Sequence, residues 1–212
     1  MLLTDVISCA SFVVTVQGEN RLHDFGTFLG QSRPMPRIVL FNKPFRVLSQ
    51  FRQDGDKTTL SRYFDDPGLR IAGRLDYNSE GLLLLSDDGR LVQEVTHPKF
   101  DKPKTYWAQV EGEPDPDAID QLRTGVKLND GITRPAKVQL IDEPAGLWPR
   151  DPPIRYRASI PTAWLELVIT EGRNRQVRRM SAAVGCPTLR LVRARIGDWE
   201  LGSMQPGEWR EA

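Results

Sequence analysis

Cysteine and histidine are both scarce in this chain of 212 residues, which has two of each. Cys9 and Cys186 are too few for a disulfide framework, so the sequence favours a reducing compartment and predicts a cytoplasmic protein. His23 and His97 lie far apart, and neither has a cysteine or carboxylate cluster at ligand spacing. We therefore expect no zinc site and no other bound metal.

Long apolar runs are also missing, and none approaches the ~20 residues that a membrane-spanning helix needs. The apolar stretch Phe12–Val14 has no basic segment before it and no clear cleavage site after it, so we expect no signal peptide. With 39% hydrophobic and 27% charged residues, the composition is that of an ordinary globular protein. The sequence predicts a soluble protein that does not associate with membranes.

The chain lacks the motifs of nucleotide-dependent and cofactor-dependent enzymes. It has no glycine-rich Walker segment, no dinucleotide-binding fingerprint and no Gly-x-Ser-x-Gly elbow. These absences leave a carboxylate, a tyrosine and a set of arginines as the residues that can carry chemistry. We expect the protein to work without a cofactor.

The net charge of +1, taken alone, argues against a nucleic-acid partner, but its distribution argues for one. Residues 111–120 hold five acids and no base, whereas residues 171–195 hold one acid and no lysine beside a set of arginines. A local basic face matters more for nucleic-acid binding than the total charge, and the arginine fork suits phosphate groups. The alternative is an ordinary solvated helix face. The arginines are Arg173, Arg175, Arg178, Arg179, Arg190, Arg193 and Arg195.

Short strand patterns alternate with short helices along residues 37–212. Leu82–Leu85 predicts a strand buried on both faces, and the period-two alternation of Lys104–Val110 predicts a strand that turns Tyr106 inward. We predict an α+β fold on a mixed, mainly antiparallel sheet. Paired prolines indicate a linker before this body, which leaves residues 1–36 as an N-terminal extension.

Three further patterns predict local structure near the charged segments. Leu189–Ile196 predicts a strand whose alternate residues Arg193 and Arg195 share one face. The segment after residue 174 predicts a helix with an apolar stripe, and Thr59–Phe64 predicts another short helix.

The turn Gly73–Asp76 places a carboxylate next to Arg74, shortly before the four-leucine strand. A carboxylate beside an arginine, on a loop that a buried strand fixes in place, suits a nucleophile or an acid–base group. An aspartate before a turn also commonly bonds nearby backbone N–H groups, and most Arg–Asp pairs belong to the surface. This segment by itself favours the structural interpretation.

Three motifs together resemble the pseudouridine synthases, specifically the RsuA/RluB/RluE/RluF group that modifies ribosomal RNA. The C-terminal segment Gly207–Arg210 also fits the group, so the pattern spans residues 37–212. It is most similar to the pattern of the RluE type, which acts on 23S ribosomal RNA. The resemblance implies a bent sheet flanked by helices, with the active-site cleft across the sheet. The motifs are Gly-Arg-Leu-Asp at 73–76 with Glu-Gly-Leu-Leu-Leu-Leu at 80–85, Lys-Thr-Tyr at 104–106, and Glu-Gly-Arg-Asn-Arg-Gln-Val-Arg-Arg-Met at 171–180.

The resemblance implies an isomerase that breaks the N1–C1′ bond of a uridine, turns the base and rejoins it through C5. It assigns the catalytic carboxylate to Asp76, a place against the flipped-out base to Tyr106, and the arginine that pairs with the aspartate to Arg178. Whether Asp76 attacks C1′ or removes a proton to give a glycal stays open. Arg74 either fills the gap that the flipped base leaves or contacts a phosphate.

The implied partner is the 23S RNA of the large ribosomal subunit, and we expect the enzyme to act as a monomer. Phosphate contacts are expected from the basic segment and from basic residues of the motifs. The expected RNA-binding residues are Lys43, Arg74, Lys104, Arg173, Arg175, Arg179, Arg193 and Arg195.

Many members of this group begin with a small basic S4 RNA-binding module, but residues 1–36 are too short for one, and the RluE type also lacks it. Two other functions stay open. An RNA-binding protein on the same fold could have lost its chemistry, although the presence of Asp76, Tyr106 and Arg178 argues against this. A carboxylate-based glycoside or nucleoside hydrolase would need a second carboxylate, for which Glu80 is the nearest candidate, and would release free base.

Overall fold

A computed structural model describes residues 36–154 and 159–212 of the chain. Within these residues the chain forms thirteen β-strands, three α-helices and two 3-10 helices. The strands are β1 (Ile38–Lys43), β2 (Val47–Leu48), β3 (Thr58–Thr59), β4 (Arg70–Ala72), β5 (Glu80–Ser86), β6 (Lys104–Glu111), β7 (Lys127–Leu128), β8 (Gly131–Ile132), β9 (Lys137–Ile141), β10 (Thr162–Ile169), β11 (Thr188–Ile196), β12 (Trp199–Glu200) and β13 (Trp209–Glu211). The helices are α1 (Gly89–Thr96), α2 (Pro116–Thr124) and α3 (Gln176–Ala183), with 3-10 turns at Leu60–Arg62 and Pro98–Phe100.

Nine strands form one sheet, in the order β13-β1-β5-β11-β6-β10-β9, with β4 added beside β5 and β12 beside β11. The pairing of β5 with β11 is parallel, and the other pairings along this order are antiparallel. Two small pairs, β2 with β3 and β7 with β8, lie outside this sheet. The predicted α+β fold with a mixed, mainly antiparallel sheet is confirmed.

Strand β5 is buried along its whole length, as the four-leucine run predicts. It lies between β1 and β11, with Arg193 of β11 opposite Gly81. Gly81 has φ +99°, and a Cβ added there would lie 2.4 Å from the carbonyl oxygen of Arg193. Because no other residue type tolerates this approach, the glycine lets the two central strands pair at the point where the Asp76 segment enters the sheet.

Strand β6 alternates between buried and half-buried residues, and Tyr106 belongs to the buried set. That set packs in one apolar cluster with Leu122 of α2 and with Val177 and Met180 of α3. The prediction that Tyr106 faces inward is confirmed. Helix α2 begins after Asp115, whose side chain accepts a hydrogen bond from the N–H of Ala118 at 2.7 Å and caps the N-terminus of the helix.

Two local predictions are wrong. Thr59–Phe64 does not form a regular helix, since Thr58–Thr59 pairs with β2 and leaves only the 3-10 turn Leu60–Arg62. Arg193 and Arg195 do not share a face of β11, because a β-bulge lies between them. Arg193 is opposite Tyr106, and Arg195 is opposite Thr105. Because Tyr106 and Thr105 are neighbours on β6, the two arginines lie on opposite faces of the sheet.

The predicted extension, residues 1–36, lies outside the described residues except for Pro36, so this division of the chain stays a prediction. Cys9 and His23 also lie outside them. In the part of the chain that the structure describes, no helix is long and apolar enough to span a bilayer. In the same part, no three His, Cys, Asp or Glu side chains are grouped so as to hold a metal ion.

Candidate active site

The segment of residues 73–79, here called the Asp76 loop, connects β4 to β5 and is fixed by hydrogen bonds from a neighbouring loop. The hydroxyl of Ser49 donates to the carbonyl of Leu75 at 2.8 Å and accepts from the N–H of Leu75 at 3.1 Å. The N–H of Arg46 donates to the carbonyl of Tyr77 at 2.9 Å. The Asp76 loop is therefore held on both sides of the aspartate.

Arg193 holds the same loop from inside the sheet. Its side chain is buried, and Nε donates to the carbonyl of Leu82 at 2.8 Å while Nη2 donates to that of Gly73 at 3.0 Å. Nη1 lies 3.5 Å from the carbonyl of Arg74. The prediction that Arg193 contacts an RNA phosphate is wrong, because its donors are used on main-chain carbonyls below the surface.

A cavity of about 610 Å³ opens beside the Asp76 loop. It brings together Asp76, Tyr106 and several of the predicted basic residues, with an apolar wall made by Leu75, Ile169 and Val177. The predicted basic residues that line it are Arg74, Lys104, Arg173, Arg175 and Arg193. An apolar wall facing a few polar groups is the usual character of a small-ligand pocket.

The arginine nearest to Asp76 is Arg175. Its Nη1 lies 3.7 Å from Oδ2 of Asp76 and donates to Oδ1 of Asn78 at 2.9 Å. Arg175 precedes α3 in the left-handed region, with φ +48°, and this turns its side chain towards the Asp76 loop. Because the Asp76 side chain is 32% exposed, an anionic carboxylate beside this guanidinium can reach a bound substrate.

The predicted ion pair between Arg178 and Asp76 is not formed in this structure. Arg178 instead donates from Nη2 to the carbonyl of Asn78 at 2.7 Å and from Nη1 to that of Thr188 at 3.1 Å. Burial lowers the pKa of Arg178 to about 10; the charge of Arg175 also lowers it, and that of Asp76 opposes this. Arg178 thus ties the Asp76 loop to β11, and its predicted role in catalysis stays a prediction.

Tyr106, Lys104 and Arg74 line the cavity as expected. Tyr106 is 8% exposed and lies across the strand pair from Arg193. Nζ of Lys104 donates to the carbonyl of Lys102 at 3.0 Å, and burial together with the charge of Arg193 lowers the pKa of Lys104 to about 8. The side chain of Arg74 is exposed at the cavity, so its predicted RNA contact stays a prediction.

Lys43 is a correction. It belongs to strand β1, is fully buried, and donates from Nζ to the carbonyls of Pro44 and Val47 at 2.8 Å each. Burial lowers the pKa of Lys43 to about 7, opposed by the charge of Glu80. A side chain in this position cannot reach an RNA phosphate, so the predicted contact is wrong.

Arg173 and Arg179 are engaged by the β7–β8 turn rather than free for RNA. Arg179 donates from both Nη atoms to the carboxylate of Asp130, at 2.8 and 3.0 Å, and its charge lowers the pKa of Asp130. Arg173 donates from Nε to Glu171 at 3.0 Å and from Nη2 to the carbonyl of Ile132 at 2.7 Å. Carboxylates and carbonyls of this protein occupy these donors in the structure, and the predicted phosphate contacts of the two arginines stay predictions.

Arg195 lies away from the cavity, on the side of the sheet where β6 carries Thr105 and Trp107, and pairs with Glu200. The β-bulge that separates it from Arg193 causes this placement. Arg193 and Arg195 therefore do not share one surface, and the predicted RNA contact of the exposed Arg195 stays a prediction.

Glu80 is the second carboxylate that a hydrolase would need, and it is committed to a buried network. Arg190 donates from Nε and Nη2 to its two oxygens, each at 3.0 Å, and the indole N–H of Trp148 donates to Oε1 at 2.8 Å. Both side chains of the ion pair are buried. Glu80 does not line the cavity, so no carboxylate pair of glycosidase type forms with Asp76.

Sequence reasoning missed the anchoring roles of Ser49, Asn78 and Arg193. Asn78 and Ser49 are single polar residues in loops, and no pattern separates them from solvated positions. Arg193 carried one signal, because it stands in a strand whose neighbours are apolar, and a charged residue in a buried strand must be paired or bonded.

A family model described as RNA pseudouridylate synthase matches residues 37–183. The chain belongs to this family. The match covers the Asp76 loop, Tyr106 and the arginines that begin α3, so the residues brought together at the cavity come from the matched segment. The predicted family and fold are confirmed.

Curated relatives carry a more specific name. The chain is 58% identical over 175 residues to ribosomal large subunit pseudouridine synthase E of Xanthomonas campestris pv. campestris, which covers 82% of this chain and 94% of the relative. It is 53% identical over 175 residues to the protein of that name from Vibrio parahaemolyticus, over 82% and 73% of the two chains. The crystal structure of a pseudouridylate synthase superposes with a TM-score of 0.70 at 30% identity, over 84% of this chain and 70% of that one.

Proposed function

We propose that this member of the RNA pseudouridylate synthase family isomerises a specific uridine of 23S ribosomal RNA to pseudouridine, with Asp76 as the catalytic carboxylate. The names of the relatives above support the large-subunit RNA as substrate. The observation that carries the assignment of Asp76 is its position in a 610 Å³ cavity with Tyr106 and Arg175. The protein is proposed to act in the cytoplasm as a monomer, with residues 37–212 as its catalytic domain.

The reaction conserves every atom of the uridine. The N1–C1′ bond breaks, a C5–C1′ bond forms, and the proton that C5 loses is balanced by one gained at N1. An isomerisation of this kind consumes no co-reactant, so the proposal includes no cofactor. Asp76 acts at the sugar, either by attacking C1′ or by taking a proton from C2′, and both routes need the ionised carboxylate.

The surroundings of Asp76 suit this task. The Arg175 guanidinium lies 3.7 Å from the Asp76 carboxylate, Ser49 bonds the carbonyl of Leu75, and Arg193 bonds that of Gly73. The base must leave the RNA stack before its C5 can be reached, and the cavity offers the ring of Tyr106 to receive it.

The test is tritium release from 23S ribosomal RNA labelled at C5 of its uridines, made by transcription in vitro. We expect the wild-type protein to release tritium and Asp76→Asn to release none, since an amide cannot supply the anionic group. Asp56→Asn is the matched control, because Asp56 is exposed and does not line the cavity. Turnover by folded Asp76→Asn would contradict the assignment.

Two other outcomes separate the alternative functions. RNA binding without tritium release by the wild-type protein would indicate an RNA-binding protein that has lost its chemistry. Release of free uracil, detected by chromatography, would indicate a hydrolase. Loss of one pseudouridine from the 23S RNA of a strain that lacks this gene would identify the target nucleotide.

A further inference from the structure

Most arginines of the basic segment 171–195 are engaged within the protein, so RNA phosphates near the cavity must find other partners. Arg173 and Arg179 bond the β7–β8 turn, Arg190 pairs with Glu80, and Arg193 holds main-chain carbonyls. A guanidinium whose donors are already used offers little to a phosphate oxygen. The cations that remain near the Asp76 loop include Arg74 on the loop itself, the exposed Arg46 and the half-buried Arg150.

Two of these cations, Arg46 and Arg150, enclose the ring of Phe45. The Cζ atom of Arg150 lies 4.5 Å from the ring centroid, and that of Arg46 lies 5.5 Å from it. The two arginines are far apart in sequence and meet only through this ring. Stacking on an aromatic ring fixes the plane of a guanidinium while it leaves N–H donors on its edge for an anion.

Within the described residues, no carboxylate lies within ion-pairing distance of the exposed Arg46 or of the half-buried Arg150. Nε and Nη1 of Arg150 donate to the carbonyls of Pro152 at 2.9 Å and Leu189 at 3.4 Å, which are uncharged acceptors. The pair therefore presents an uncompensated positive charge.

Neighbouring arginines add to the positive charge at Arg150. Burial lowers the pKa of Arg150, the charge of Glu80 opposes this, and those of Arg190 and Arg46 lower it further. Glu80 is held by both donor positions of Arg190, so its charge is already balanced within the buried network. Like charges that repel one another in the free protein are stabilised when an anion binds between or beside them.

The backbone of Arg46 is a second, independent sign of function. Its φ of +59° lies in the left-handed region, where a non-glycine residue is strained. The same residue donates its N–H to the carbonyl of Tyr77, one residue after Asp76. This left-handed position therefore anchors the main chain of Arg46 to the Asp76 loop.

We propose that Arg46 and Arg150, stacked on Phe45, form a binding site for phosphate groups of the RNA strand beside the Asp76 cavity. This inference rests on the proposed function, since it takes the ligand to be the RNA that the enzyme modifies. Phosphate contacts carry no base sequence, so the site contributes affinity and sets the position of the strand relative to Asp76.

The test measures the dissociation constant for 23S ribosomal RNA transcribed in vitro at several salt concentrations, beside a melting curve for each variant. Arg46→Gln and Arg150→Gln are compared with Arg62→Gln, an exposed arginine on the 3-10 turn. Each lost phosphate contact is expected to reduce the slope of log Kd against log salt by roughly 0.7–0.9. Arg62→Gln should keep the wild-type slope.

Two further variants at position 46 separate a phosphate contact from a structural role. Arg46→Gly should raise the melting temperature, because it relieves the left-handed backbone, and yet reduce the salt slope as Arg46→Gln does. Arg46→Lys should retain most of the slope, because it keeps a point charge. If Arg46 had only a structural role, Arg46→Gly would keep the wild-type slope of log Kd against log salt, whatever its melting temperature.

An unaltered slope in both Arg46→Gln and Arg150→Gln would overturn the inference. Arg150 also bonds two carbonyls, so Arg150→Gln can lose stability as well as a phosphate contact. If its melting temperature falls, the slope of Arg46→Gln alone decides the test. Failure of the proposed function looks different: the wild-type protein would bind the transcript but release no tritium from it. The slopes of the variants would still be measurable in that case.

Discussion

Arg193 joins strand β11 to the Asp76 loop, and its Nη2 lies 3.0 Å from the carbonyl oxygen of Gly73. The side chain is 2% exposed, and its Nε bonds the carbonyl of Leu82 at 2.8 Å in the adjacent strand. A buried cation must keep its hydrogen bonds, because losing them leaves a charge without solvation. The sheet thereby fixes where the loop leaves β4, three residues before Asp76.

Replacing Arg193 by methionine should destabilise the fold and misplace Asp76. We expect Arg193→Met to lower the free energy of unfolding by about 3 kcal/mol, since three carbonyls lose a charged donor, and to lower the turnover number. Arg195→Met, on the same strand but exposed, should lower it by less than about 1 kcal/mol. Urea unfolding and tritium release measure both effects. Equal, small losses in stability would show that the buried guanidinium does not hold the loop.

Arg175→Met should reduce catalysis more than Arg179→Met. Arg175 faces Asp76, whereas Arg179 lies on the same helix and pairs with Asp130. A partly exposed ion pair is worth up to about 1 kcal/mol, and about 1.4 kcal/mol corresponds to a tenfold change in rate, so a loss of roughly a few-fold is expected. The single-turnover rate at saturating RNA is the measurement.

Arg178→Met completes this comparison. Because Arg178 bonds the carbonyls of Asn78 and Thr188, we expect its loss to appear first as a lower free energy of unfolding. A fully stable Arg178→Met with a rate far below that of Arg175→Met would restore the pairing with Asp76 that the family resemblance implies.

Local sequence patterns were sufficient to place Asp76 and Tyr106 in the fold, whereas their meeting at one site followed from the family resemblance. The first stands in a turn before a buried strand, and the second follows from period-two alternation. Both signals are local, so they survive without knowledge of the partners. The same reasoning could identify the sheet as mixed and mainly antiparallel.

The destination of each long basic side chain could not be predicted in this way. An arginine or lysine extends several ångströms from its Cα, so its partner depends on which distant segments the fold brings near. Arg179 meets Asp130 of a turn 49 positions away, and Lys43 turns back to the carbonyls of its own loop. The β-bulge that separates Arg193 from Arg195 leaves no mark in the alternation either.

Lys43 should make stability rise with pH. Its pKa is about 7 in the folded protein and 10.5 ordinarily, so between these values the unfolded chain binds more protons than the folded one. The free energy of unfolding therefore increases as the pH rises from about 7 to 10.5, by a total on the order of a few kcal/mol. Below pH 7 both states are protonated, and the gain is absent.

Urea unfolding at pH values from 6.5 to about 10 tests this dependence against Lys43→Met. The variant should lose the part of the slope that Lys43 supplies. Lys57→Met is the control, because Lys57 is exposed and paired with Asp54 at the surface. Parallel pH profiles for the wild type and Lys43→Met would show that the buried lysine keeps its ordinary pKa.

Glu80 should act through the fold and not through the reaction. Glu80→Gln leaves Arg190 as a buried cation without its counter-charge, which is expected to lower the free energy of unfolding by about 3–5 kcal/mol. The double variant Glu80→Gln with Arg190→Met removes both charges, so it should be less destabilised than the sum of its two single variants. Urea unfolding of the four proteins gives the coupling energy.

Activity distinguishes this structural role from a chemical one. Under conditions where Glu80→Gln is still folded, it should release tritium from 5-tritiated RNA and no free uracil, because Arg190 and Trp148 hold Glu80 away from the cavity. A variant with the stability of the wild type but no turnover would contradict this arrangement. It would make Glu80 the second catalytic carboxylate beside Asp76, as a hydrolase requires.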